Sequence, residues 1–221
     1  MNHKMGWAIF MAVVVSSLAF EPTWAAKKGW YLGGGFASQS VEGGFDGSTG
    51  YCSEGSCTMP PIVVPGKPDS GSGINILLGY QFNPNVGFEY LFSSTSHKAT
   101  HIDRPEGESL TVSSGLIGLR LATGGEPLDL FMRLSLASNI LTYADATWAG
   151  GNTWKEATFS GGGTGYGVGM AYQMDPWGLE FSYNVQNTEL NTLTAGNITG
   201  EINPVAIKVT SLTGTMVYHF K

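Results

Sequence analysis

Four charged residues stand singly in segments otherwise built from apolar, glycine and small polar residues: Glu89 in GFEYLF, Arg120 in IGLRLA, Arg133 in FMRLS and Glu180 in GLEFS. An ion buried in such surroundings costs several kcal/mol unless a partner is at hand, so two carboxylates and two guanidinium groups predict a paired network. Asp129 and His219 are its further candidate members. Such a set has two uses. It can fill and fix an interior, or it can gate small ions, and the first is the expectation here. The other residues with chemical potential carry less. His97 and His101, with Asp103, would suit a metal on a helix, but no helical periodicity surrounds them and no further ligand is near. They are expected in a solvated loop, with no metal and no cofactor bound. The glycine-rich run 159–174 lacks the Lys-Ser/Thr of a phosphate loop, and nothing resembles a nucleophile elbow. Cys52 and Cys57, in YCSEGSCT, are the only cysteines. They lack a four-ligand zinc set and the C-x-x-C spacing of a redox pair, and in an exported chain they are expected to form a structural disulfide.

Export is indicated by the first residues. MNHK is a short basic start, an apolar stretch follows, and EPTWA ends in small residues, which is the form of a secretory signal peptide. The cut is placed between Ala25 and Ala26, giving a signal peptide of residues 1–25 and one β domain over 26–221. The alternative, an uncleaved anchor helix, is disfavoured because the apolar run falls short of the ~20 residues a span needs. Charged residues make up 13% of the chain and glycines number 32, whereas an ordinary soluble domain carries about 25% charge. The net charge of −6 gives no basic patch, so nucleic acid is not an expected partner.

The elements that must position these residues are strands, because apolar and polar residues alternate with period two. The segments begin with 29–40, then a hairpin of 74–82 and 86–94 joined by Asn83-Pro84-Asn85. They continue with 110–121, from residue 128 through Asn139, 159–174, 177–186, and a last strand closing the chain at TGTMVYHFK. Polar stretches at 41–71, 97–108, 143–157 and 187–204 are expected as long loops, and the connections between them as short turns. The upper half of 110–121 breaks the alternation, suggesting a bulge near Ser113–Ser114.

One face of these strands is nearly continuous in Ile, Leu, Val, Phe and Tyr. The other carries small polar residues, the four charges and glycine at every second position from Gly161 to Gly169. A soluble lipocalin-like barrel would turn its apolar face inward and a charged face to water. Glycine makes sense where space is short, as inside an eight-stranded barrel, with the apolar face meeting lipid. Aromatics gather near the turns: Trp30, Tyr80, Phe82, Phe88, Tyr172, Trp177, Tyr218 and Phe220 at one end, and Phe92, Trp148, Trp154, Phe159 and Tyr183 at the other, as two interfacial girdles.

GWYLGGGF at 29–36, LLGYQFNPNVGFEYLF at 77–92 and VYHF at 217–220 resemble the OmpA/OmpX-type family of small outer-membrane barrels, as a pattern across the whole mature chain. The resemblance implies an all-β, eight-stranded antiparallel up-and-down transmembrane barrel with short periplasmic turns and long extracellular loops. It also implies insertion by the outer-membrane assembly machinery, which recognises a C-terminal aromatic strand; here Phe220 is penultimate and Lys221 last. No peptidoglycan-binding domain follows, so no such tether is expected. The expected partners are outer-membrane lipid, lipopolysaccharide and a host or environmental surface ligand, with the barrel a monomer. The leading functional expectation is a structural or adhesin-like role through the outer loops, above all 41–72. The alternative is a narrow pore or lateral path for small or hydrophobic molecules, as in the OmpW-like group. A lipid-A-modifying enzyme ranks third: barrel deacylases use Ser and His on a late strand, and His219 faces the lumen by parity. An enzyme is therefore not expected.

Overall fold

The computed structural model describes residues 28–43, 48–49, 62–63, 68–101, 104–144, 146–147, 153–154, 156–196 and 198–220. The signal segment with Ala25 and Ala26, the Cys52 and Cys57 pair, Trp148 and the Trp154 side chain lie outside the described parts. Eight long strands follow in order: β1 (Gly29–Glu42), β2 (Gly71–Asn83), β3 (Val86–His101), β4 (Arg104–Ala122), β5 (Leu128–Tyr143), β6 (Ala157–Met174), β7 (Trp177–Ala195) and β8 (Ile198–His219). Each pairs antiparallel with its sequence neighbours, and β1 pairs with β8 from Tyr31 opposite His219 to Glu42 opposite Lys208, so the sheet closes on itself. Two short ribbons, Ser48–Thr49 with Ile62–Val63 and Ala146–Thr147 with Thr153–Trp154, stand outside the ring.

The turns at one end are tight and built by side chains. Asn83 Oδ1 accepts from the backbone N–H groups of Asn85 and Val86, each at 2.9 Å, between β2 and β3. Between β4 and β5, Asp129 Oδ1 accepts from Gly124 N and from Thr123 Oγ1, both at 2.9 Å. Gly124 holds φ +70 there, a conformation that glycine adopts without strain.

Along every strand the two faces separate in the membrane half. Phe36, Leu136 and Leu212 point out with 79%, 66% and 61% of their surface exposed. A soluble protein does not ring itself with such groups, whereas lipid accepts them without a partner sheet. The aromatic rings at the short-turn end form chains of edge contacts, Trp30–Tyr80–Phe82 and Trp177–Tyr218–Phe220, with centroids 4.8–5.3 Å apart. At the far end of the band Tyr166 and Tyr183 are exposed on the outside.

Above that band the chemistry of the wall inverts. On β4, Leu110 and Val112 face inward and are fully buried, while Thr111 and Ser113 face outward. The register of β4 with β3 runs unbroken through Ser113 and Ser114, so the expected bulge there is absent. The alternation continues in phase, and what changes is the medium outside. Where the wall meets water its polar residues turn out and its apolar residues become the core.

The same fact corrects three other expectations. The stretches 97–108 and 187–204 are largely strand: β3 runs to His101 and β4 starts at Arg104, β7 runs to Ala195 and β8 starts at Ile198. Pro204 lies inside β8, in the stretch where the β7–β8 register slips between Leu190 and Thr192, the place in a ladder that tolerates a missing N–H. Phe159 belongs to no girdle; it is buried inside the barrel against Tyr143, with centroids 5.7 Å apart. A barrel span takes about 9–11 residues, and β8 has 22. About ten surplus residues, at ~3.3 Å each and tilted about 40°, raise the wall roughly 25 Å beyond the lipid.

The inversion predicts a depth-dependent response to charge. Leu134→Arg, in the lipid band, should cost about 2–4 kcal/mol, and Thr111→Arg, above it, about 0–1 kcal/mol. Urea unfolding of the barrel in vesicles measures both, and equal costs would contradict the placement of the band.

Candidate functional site

Parity delivers Glu89 from β3, Arg120 from β4, Arg133 from β5 and Glu180 from β7 to one level of the lumen, each 5% exposed or less. Arg133 binds Glu89 through Nε and Glu180 through Nη2, and its Nη1 donates to Ser182 Oγ at 2.9 Å. Arg120 lies between three carboxylates: Nε is 3.4 Å from Glu89 Oε1, and Nη2 is 3.2 Å from Asp129 Oδ2 and 3.9 Å from Glu180 Oε2. Tyr31 donates its hydroxyl to Glu89 Oε1 at 2.5 Å. Both guanidinium groups lie over the Phe131 ring, with Cζ atoms 4.3 and 4.6 Å from its centroid.

Arg120 and Arg133 are direct cross-strand partners, a pairing that repels unless carboxylates stand between the charges. Glu89 and Glu180 do so, each hydrogen-bonded to Arg133 and ion-paired with Arg120. Asp129 joins the network to the turn below, since its second oxygen organises Thr123 and Gly124. His219 lies at the turn end with its ring 5.3 Å from Tyr31. Tyr31 shares the inward parity of Gly33 and Gly35, and that was the available signal for its role.

The remainder of the lumen is layered. Phe131, Ala122 and Ala171 pack together at the turn end. Tyr31, Leu77, Leu91, Leu116, Ala137 and Val217 form a second apolar group. A polar level follows, in which Gln39 donates to Ser93, Thr95 donates to Gln39, and Ser114 donates to Asn139, which in turn donates to Thr188. Above it, Val41, Leu110, Val112, Leu141, Tyr143 and Phe159 belong to an apolar cluster that caps the far end. The glycines make room for these groups. A Cβ at Gly79 would occupy the Tyr31 ring, one at Gly169 the Phe131 ring, and one at Gly165 the Leu116 side chain.

His97 departs from the solvated-loop expectation. It points into the barrel, 4% exposed, with Nε2 2.7 Å from Thr95 Oγ1 and Nδ1 2.7 Å from the Asp69 carbonyl. It does not meet His101 or Asp103 in a site: Asp103 and the His101 side chain lie outside the described parts. Among the described residues no group of three or more His, Cys, Asp and Glu side chains is placed to hold a metal ion.

A closed eight-stranded ring with a lipid-facing apolar band and a filled, charge-bearing interior defines an integral outer-membrane β-barrel. Residues 8–220 match the family described as outer membrane protein beta-barrel domain, and the chain belongs to it. It resides in the outer membrane of a Gram-negative bacterium. Its fold is similar to Neisserial surface protein A (TM-score 0.55, 12% identity, 89% of this chain and 99% of that one). It is also similar to OprG from Pseudomonas aeruginosa (TM-score 0.54, 12% identity, 88% and 97%). At these identities the likeness is one of fold. Among curated protein sequences none matches.

Removing one member of the network should expose its dependence on pairing. Arg133→Ala leaves Glu89 and Glu180 without their main partner and is expected to cost about 3–5 kcal/mol. Adding Glu180→Gln should recover part of that, because one uncompensated ion is gone. Urea midpoints of the two variants in vesicles check this; an unchanged midpoint for Arg133→Ala would count against the network.

Proposed function

We propose that the protein is a sealed barrel whose work is done on its extracellular side, in structural or adhesin-like contact with what surrounds the cell. The observation that carries this reading is the filling of the lumen. An apolar group at the turn end, the guanidinium–carboxylate level, a second apolar group, a hydrogen-bonded polar level and an apolar cap fill the lumen from turn end to far end. The cavity beneath the network, lined by Tyr31, Arg120, Glu180 and His219 among others, has a volume of about 10 Å³, room for about one water. A conducting pathway needs a continuous wet column, and the apolar cap at Leu110, Val112 and Leu141 opposes one. The tall outer wall supports the same reading, since β3 to β8 run on past the lipid band, and exposed surface on a rigid scaffold is where binding usually resides.

Planar-bilayer recording of the refolded barrel tests the proposal. A silent baseline is expected for the unmodified chain. Discrete openings would overturn the sealed reading and favour the narrow pore.

A further inference from the structure

The outer wall carries a groove of about 670 Å³ across β6, β7, β8 and β1. Two cross-strand rows make it. Thr164, Asn187, Lys208 and Glu42 lie opposite one another in turn; Gly162, Glu189 and Ala206 form the next row up. The small residues Gly162 and Ala206 make the floor. Gly162 faces outward, and a Cβ there would meet nothing nearer than the Ala137 carbonyl at 3.7 Å. The groove begins one step above Tyr166 on β6, where the apolar outward run of that strand ends.

The charge of the groove selects among ligands at that depth. Its one cation among the described residues, Lys208, is engaged with Glu42 at 3.4 Å, and Glu189 adds a second carboxylate. Such a set repels phosphate and offers an amide, a hydroxyl and carboxylate acceptors to sugar hydroxyls. Beside it the outer wall is lined with hydroxyls. Ser96, Thr111, Thr142, Thr158, Thr194 and Thr199 are successive cross-strand partners from β3 to β8, about 4.8 Å apart by sheet spacing. Thr142 and Thr158 approach to 3.4 Å, and Thr194 and Thr199 to 3.1 Å. This neutral, hydrogen-bonding surface continues the groove over the strands above the lipid.

We infer that the groove between Gly162, Asn187, Glu189 and Lys208 binds the oligosaccharide of outer-leaflet lipopolysaccharide, through sugar hydroxyls and not through lipid phosphates. The inference rests on the surface-directed reading above and names its ligand class and site. The occupant follows from position and charge: the groove opens sideways, at the height where sugars replace acyl chains, and it is not basic.

The test uses the full folded barrel in neutral detergent, titrated by calorimetry with dephosphorylated core oligosaccharide and, separately, with phosphorylated lipid A. Saturable binding of the oligosaccharide is expected, weakened at least tenfold by Gly162→Leu, which fills the floor, and by Asn187→Leu. Unshifted gel mobility of unboiled Gly162→Leu should show that the barrel still folds. Absent oligosaccharide binding, equal affinity in folded Gly162→Leu, or tighter binding of lipid A would each overturn the inference. A barrel that is silent in bilayers yet indifferent to the oligosaccharide overturns this inference alone; one that conducts yet binds the oligosaccharide overturns the sealed reading alone.

Discussion

A β-sheet in hydrocarbon has nowhere to leave an unpaired peptide group, and most of this structure follows from that constraint. Each orphaned N–H or carbonyl would cost several kcal/mol in lipid, so the sheet must close. Here β1 meets β8 along twelve paired positions from Tyr31 to Glu42, and the turn end is tied by Phe220 N to the Trp30 carbonyl at 3.0 Å and His219 N to the Pro176 carbonyl at 2.9 Å. Closing eight strands leaves an interior just wide enough for side chains. Three glycines are the consequence: Gly79 of β2 and Gly165 and Gly169 of β6 cede volume to Tyr31, Leu116 and Phe131, which come from other strands.

The same wall solves two solvent problems with one periodicity. In the lipid band Ile117 and Leu119 face out while Arg120 faces in. Seven residues or so further up the same strand Thr111 and Ser113 face out while Leu110 and Val112 face in. On β4 nothing in the backbone marks the change, since its register with β3 is continuous there, whereas on β7 the register with β8 slips between Leu190 and Thr192. The outer third is a water-soluble barrel with a hydrophobic core, stacked on a membrane barrel with a polar one.

This explains which features could be read from the residues alone. Strand count, closure and the inward placement of Glu89, Arg120, Arg133 and Glu180 follow from parity and composition in the membrane half, where one face is uniformly apolar. The upper strands were harder to read. Segments 97–108 and 187–204 are polar because their outward residues meet water, and polar composition is also the mark of a loop. The inward members, Ala99, Leu190 and Ile202 among them, are too sparse to reveal alternation when the polar face dominates. Phe159 misled for the complementary reason: an aromatic at a strand end suits a girdle or a cap equally, and only its parity with Ala157 distinguishes them. Asp129 is legible as an inward residue, but its double duty, bonding Arg120 with one oxygen and the turn with the other, is a property of the folded turn.

The ionic level is better understood as a lock on register than as a source of net stability. Desolvating two guanidinium groups and three carboxylates offsets most of what their attraction returns, and an apolar set of equal volume would serve stability as well. It would not serve specificity. A one-residue slip of any strand moves all its side chains to the other face. Were β5 to slip, Arg133 would enter the lipid and Leu134 the lumen; were β3 to slip, Glu89 would do the same. Each error places a charge in hydrocarbon at a cost of a few kcal/mol and strips its partners of theirs. Because Arg133 contacts residues of both β3 and β7, and Arg120 reaches Glu89, Asp129 and Glu180, four strands are checked against one another at a single level. The apolar cap above lacks that property, since Leu and Val tolerate exchange of neighbours, and it can leave the alignment of the wall to the charges below.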